Sequence, residues 1–185
     1  MGKKKLVFMY IADSYGFYEQ GLNFSTKENF YVNRESDETL TLIKGEDREG
    51  LPARFWGNTI SEVKLLVGGN GSGKTTVMRI ICQWICQISQ NKFPQEEGIL
   101  VLEDERGQRF LAFEKGRKKV INTTIPEFPM QEESIDMFFN DIRMVYFSNT
   151  MSELFLEPCS ILMDYSKPNR IIEANADRYA IGDEI

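Results

Sequence analysis

Histidine is absent from the 185 residues, which excludes a histidine-based catalytic triad and a histidine-ligated zinc site. Cysteine is scarce. Cys82, Cys86 and Cys159 form an odd set with no disulfide-framework spacing, a usage that points to a reducing compartment. Cys82 and Cys86 stand one helical turn apart without partner ligands and read as packing residues rather than as a metal or redox pair. Long apolar runs are missing too. The opening MGKKKLVFMYIADS imitates a signal peptide, but its apolar run covers only residues 6–12 and ends in Asp13-Ser14. It is too short to cross a bilayer and has no small-residue cleavage site. Leu6 stands where a myristoylation pattern after Gly2 needs Ser or Thr. Internal repeats and low-complexity segments are also lacking. Together these absences predict a cytoplasmic chain without a membrane partner.

What is present suits one folded domain, with 42% hydrophobic and 12% aromatic residues. The net charge of -6 argues against non-specific nucleic-acid binding by the surface as a whole. Residues 6–12 read as a strand with a return strand at LNFS after the turn glycines Gly16 and Gly21. FYVN and TLTLI read as a hairpin around RESDE, and GEDREGLP as a solvated loop. ILVLED and RFLAFEK alternate and form a hairpin around ERGQ, with KKVINTT as a third strand. A helix is predicted over residues 132–140 and a buried strand at IRMVYFS. VKLLV, residues 63–67, is a continuous apolar run, as expected of a strand buried on both faces of a parallel sheet. Val77, Ile80, Ile81, Trp84, Ile85 and Ile88 then recur at helical spacing.

Between that run and that helix, Gly68, Gly73, Lys74 and Thr75 fill the fixed positions of G-x-x-x-x-G-K-[ST]. The glycines permit positive φ, so that successive backbone N–H groups cup an anion while the helix directs its positive end at the same point. Lys74 is placed for the β- and γ-phosphates and the Thr75 hydroxyl for Mg²⁺.

Three classes of machine use such a loop. A small nucleotide kinase fits the length and the GSGKTT ending, although such kinases open with the loop strand and here residues 1–62 precede it. A GTPase needs N-K-x-D, which Asn91-Lys92-Phe93-Pro94 does not complete. The third class is the ABC-type ATPase head. GGNGSGKTT resembles the loop of SMC-like and RecF-like ATPases, and KLVFMYIADSYGFYEQGLNFS resembles the opening strand and hairpin of their heads. FWGNTISEVKLLVGGNGSGKTTVMRII resembles the same region of bacterial AAA-family ATPases, many tied to phage defence. The likeness covers residues 6–88, with a weaker match at VYFSNT.

The resemblance implies an α/β P-loop NTPase fold: the N-terminal lobe of an ABC-type head, with a mainly parallel core sheet and an antiparallel β-layer. Residues 1–150 would belong to that ATPase domain and 151–185 to a helical insertion or tail. It implies ATP and Mg²⁺ held by Gly68, Gly69, Asn70, Gly71, Ser72, Gly73, Lys74, Thr75 and Thr76, with Thr75 on the metal. It implies a homodimer with ATP sandwiched between heads. An aromatic residue of the first hairpin lies near the adenine in such heads, which makes Tyr15 and Phe17 candidates, with core packing as the alternative. Ser148, Asn149 and Thr150 fall at a strand end where these heads carry a glutamine; Asn149 stands in for it or caps the strand.

Two parts of the family's site are not found in the sequence. No LSGG-like signature occurs, and a switch histidine is impossible. ILVLEDE, residues 99–105, imitates a Walker B strand, but its acids begin with Glu103, it follows the loop helix almost at once, and ERGQ turns it into a partner strand. It reads as a surface hairpin. The DE of the closing AIGDEI follows a lead-in broken by Gly182. The chain therefore reads as the N-terminal part of a longer ATPase, or as a relative that binds nucleotide without hydrolysing it, and the catalytic residues stay unassigned. EKGRKK, residues 114–119, is the densest basic run; a solvated turn is favoured and nucleic-acid contact left open.

Overall fold

The computed structural model describes residues 4–36, 39–52, 55, 63–128, 138–139, 142–146 and 159–164. In chain order the elements are β1 (Lys5–Ser14), β2 (Phe17–Asn23), β3 (Phe30–Arg34), β4 (Leu40–Lys44), α1 (Lys74–Ser89), β5 (Gly98–Asp104), β6 (Gly107–Glu114), β7 (Arg117–Lys118), β8 (Asn122–Thr123), β9 (Met144–Tyr146) and β10 (Leu162–Asp164). They divide into two compact units. The first comprises Met1–Lys74 and Lys92–Met130, the second Thr75–Asn91 and Gln131–Ile185.

The first unit is built on a five-stranded sheet in the order β2-β1-β5-β6-β7, antiparallel throughout. Short local connections explain much of that order. Tyr15 and Gly16, both at positive φ, reverse the chain between β1 and β2. Lys115 and Gly116 do the same between β6 and β7, the backbone geometry that two-residue hairpin turns require. β3 and β4 form a second hairpin, extended by β8 in parallel to β4. The core joins the two sheets: Val7, Phe8, Tyr10 and Ala12 of β1, Phe30, Leu40 and Leu42 of β3 and β4, Ile99 and Val101 of β5, and Phe110 and Ala112 of β6 form one buried cluster. Val7 and Phe8 both enter it, where the β1–β5 register shifts between Leu6 and Phe8 and a bulge re-aims a side chain.

Glu97, directly before β5, ties several strands together. It meets Arg34 Nη2 at 2.8 Å and Lys119 Nζ at 2.6 Å, while Arg34 Nε also reaches Glu19 at 2.9 Å and Lys119 reaches Glu114 at 3.1 Å. Burial opposes the charge on Lys119, but its hydrogen bonds to Glu97 and Glu114 outweigh that and raise its pKa. The same bond from Lys119 holds the Glu114 carboxyl below its ordinary value.

The second unit contains most of α1, whose residues Ile80, Trp84, Ile85 and Ile88 are buried at helical spacing. Asn91 at positive φ closes the helix, its N–H donating to Ile88 O, a position where Asn is favoured after Gly. β9 and β10 pair in parallel. Cys82 packs against Tyr146 of β9 and Leu162 of β10, and Cys86 is disulfide-bonded to Cys159. The bridge corrects the reading of Cys86 as a packing thiol and of the three cysteines as unbridged. The partners lie 73 residues apart, a separation that carries no local spacing signal.

The α/β class, with a mainly parallel core sheet entered by the loop strand, is overturned. Residues 63–67 lie in no strand, and Leu65 and Val67 are 83% and 82% exposed. Both edges of β1 are taken, by β2 on one side through a short turn and by β5 on the other through a long register of pairs. Among the described residues, parallel pairing is confined to β4–β8, β9–β10 and a single bridge between Phe110 and Glu127. α1 is the one full helix there. The ILVLED hairpin is present as β5–β6, but β5 is the middle strand of the sheet and Ile99–Leu102 are buried, so it is not a surface hairpin. Of the predicted helix over residues 132–140, only 138 and 139 are described, and they are helical.

Candidate functional site

The glycine loop lies within the first unit, up to Lys74, where α1 begins. Gly71 and Gly73 have φ of 78° and 82°, the left-handed region that L residues avoid. Two of the glycines are also fixed by close neighbours. A Cβ on Gly68 would lie 2.5 Å from Ser72 Oγ, and one on Gly73 would lie 2.6 Å from Cζ of Phe17. Phe17 opens β2, so the first hairpin touches the loop through this ring.

Lys74 folds back over the loop. Its Nζ donates to Gly68 O at 2.8 Å, Gly69 O at 2.7 Å and Ser72 Oγ at 3.3 Å. An ammonium has three donors, and all three are used on loop oxygens. The Ser72 N–H donates to Gly69 O at 3.3 Å. Gly69, Asn70, Gly71 and Thr75 are exposed, and Thr76 is half-buried. No acidic residue occupies the first turn of α1, where the leading N–H groups lack intrahelical acceptors and a carboxylate would compete with an incoming anion.

The structure thus brings together Gly68, Gly69, Ser72, Gly73 and Lys74, with Phe17 added from the hairpin. Of the two aromatic candidates, Tyr15 turns elsewhere, its hydroxyl 3.4 Å from Glu96. Ser148, Asn149 and Thr150 lie outside the described residues. The resemblance marks Phe17 as a candidate near the adenine, but its contact with Gly73 and the capture of Lys74 by its own loop carry no local sequence signal.

Left-handed glycines and a flexible ammonium are the kinds of group that phosphate oxygens accept hydrogen bonds from, and the loop has both. Among the described residues, no group of three Cys, Asp or Glu side chains is arranged to hold a metal by itself. Magnesium on this loop would not need one, because phosphate oxygens and water supply most of its ligands.

The nearest acidic strand is committed elsewhere. Glu103 pairs with Lys5 Nζ at 3.6 Å and accepts from Gln108 Nε2 at 3.2 Å. Asp104 accepts from the Arg106 N–H at 2.8 Å, stands 3.5 Å from Arg109 and ends the hairpin opposite Gly107. In the basic turn after β6, Lys115 pairs with Glu114, Lys118 with Glu127, and Lys119 with Glu97 and Glu114, while Arg117 is exposed. Glu114, Lys115, Arg117, Lys118, Lys119 and Val120 line a cavity of about 400 Å³. Among the described residues no helix is long and apolar enough to cross a membrane.

No protein family, curated protein or solved structure matches the chain.

Proposed function

We propose that the chain binds the triphosphate of ATP, with Mg²⁺, at Gly68–Thr76. The observation that carries this reading is the loop itself: left-handed Gly71 and Gly73, and a Lys74 ammonium held in place by three oxygens of the same loop. Those three bonds are what a phosphate would replace. The ammonium exchanges uncharged acceptors for anionic ones, which form stronger bonds. Thr75, in the first turn of α1, would then present its hydroxyl to the metal.

A second reading, nucleotide binding without turnover by this chain, is favoured by the engagement of Glu103 and Asp104 in the β5–β6 hairpin. Both carboxylates already have partners within the hairpin. The test is thermal unfolding with and without Mg-ATP, on wild type and Lys74→Ala. Ligand at 100 times its dissociation constant should stabilise wild type by about 2.7 kcal/mol and leave the variant unmoved. Equal shifts in both, or none in wild type, would refute binding through this loop. Phosphate release in the same samples separates turnover from binding alone.

A further inference from the structure

The three cysteines of the chain all lie in the second unit, and all three meet on the same pieces of it. Cys82 and Cys86 are one turn apart on α1, so they share a face. Cys86 is bonded to Cys159, shortly before β10 begins, and Cys82 packs against Tyr146 of β9 and Leu162 of β10. One helix face therefore holds the β9–β10 pair twice, once covalently and once by apolar contact.

The pair needs that hold. Each strand has three residues, joined in the register Leu162↔Met144, Met163↔Val145 and Asp164↔Tyr146, and the Met144 N–H donates to Ile161 O. A two-stranded ladder of this length is not stable by itself. Its outward residues Val145 and Met163 are exposed, so that side adds little burial. The two sulfurs also differ in access. Cys86 is buried, whereas Cys159 is only partly so. Cys159 is therefore the half that an external thiolate would attack, with Cys86 as the leaving group, while the third cysteine, Cys82, is buried one helical turn from Cys86.

We infer that Cys86–Cys159 is a reversible redox clasp that fixes β9–β10 to α1 when oxidised and releases it when reduced. The oxidant is a low-molecular-weight disulfide. The Cys159 thiolate attacks one of its sulfurs, forms a mixed disulfide and expels one thiolate. The Cys86 thiolate then attacks the Cys159 sulfur, forms the clasp and expels the second. Two protein thiols are oxidised by two electrons, one disulfide is reduced to two thiols, and the two protons pass to the departing thiolates. Opening runs the same steps backwards.

The inference does not depend on nucleotide binding. To test it, the intact chain is equilibrated over a range of reduced to oxidised glutathione ratios, quenched in acid and alkylated, and the modified cysteines are located by mass. The expected result is one reversible transition from three alkylated cysteines to Cys82 alone, abolished in Cys159→Ser and retained in Cys82→Ala. Amide exchange at residues 144–146 and 161–164 should rise on the order of tenfold or more when the clasp opens, because local opening sets exchange there. Wild type that stays fully reduced, or fully bridged, at every ratio overturns the proposal. So does a transition that leaves exchange in β9 and β10 unchanged.

Discussion

At the scale of single residues, the glycine loop shows how one position can be constrained twice. Gly73 needs positive φ, and it also needs an empty space where a Cβ would be, because Phe17 Cζ would stand 2.6 Å away. Gly69 has neither restriction: nothing lies within 4 Å of its Cβ position. Gly73→Ala should therefore destabilise by about 1–3 kcal/mol, while Gly69→Ala stays within about 0.5 kcal/mol, both read from urea midpoints. Phe17→Leu in the Gly73→Ala background should recover part of the loss, since a smaller side chain yields where the ring cannot. If the two alanine variants cost the same, Phe17 does not press on the loop. The motif told which glycines to expect, because G-x-x-x-x-G-K-[ST] encodes a backbone shape. It did not tell that Phe17 would be the neighbour, because contact between residues so far apart in sequence has no local periodicity.

At the scale of elements, legibility followed the distance over which pairing partners were chosen. β3–β4 and β5–β6 pair through nearby turns, and their alternation with turn residues made each readable. The return of β1 was read too late: Gly21 belongs to no turn but pairs with Tyr10 inside β2, which runs Phe17–Asn23 rather than starting at LNFS. α1 was readable from its apolar spacing. Residues 63–67 were not. An apolar run records that a segment is hydrophobic, but not whether a ladder has room for it, and β1 already has two neighbours. The Walker B imitation shows the converse: its turn was legible, but its central place between β1 and β6 depends on a long-range pairing with β1. A single substitution separates the two accounts of residues 63–67. With Leu65 83% exposed, Leu65→Lys should alter unfolding free energy by no more than about 0.5 kcal/mol. In a strand buried on both faces the same change would cost at least about 3 kcal/mol. Leu100→Ala, in the buried part of β5, is the positive control and should cost about 2–5 kcal/mol.

At the scale of the whole molecule, charge decides which anionic polymers the chain can hold. Lys and Arg number 22 against 28 Asp and Glu, a net of -6, so a polyanion meets repulsion from the surface at large. Local basic density could overcome that only if its cations faced solvent without counter-charges. In the densest basic run three of the four cations have carboxylate neighbours, Lys115 beside Glu114, Lys118 2.7 Å from Glu127 and Lys119 between Glu97 and Glu114, which leaves Arg117 exposed. A nucleic acid would have to displace carboxylates already in place, and the counterions released would be correspondingly few. Mg-ATP differs, because its triphosphate needs one loop and one ammonium rather than a strip of cations. Single- and double-stranded oligonucleotides titrated at physiological salt should therefore bind more weakly than about 10⁻⁴ M, the loose end of ordinary non-specific affinity. A micromolar affinity that falls steeply with added salt would show that these carboxylates do not neutralise the turn. Lys118→Ala and Lys119→Ala would then identify the cations responsible, because removing a lysine that meets a phosphate flattens the dependence of affinity on salt by about one unit of slope.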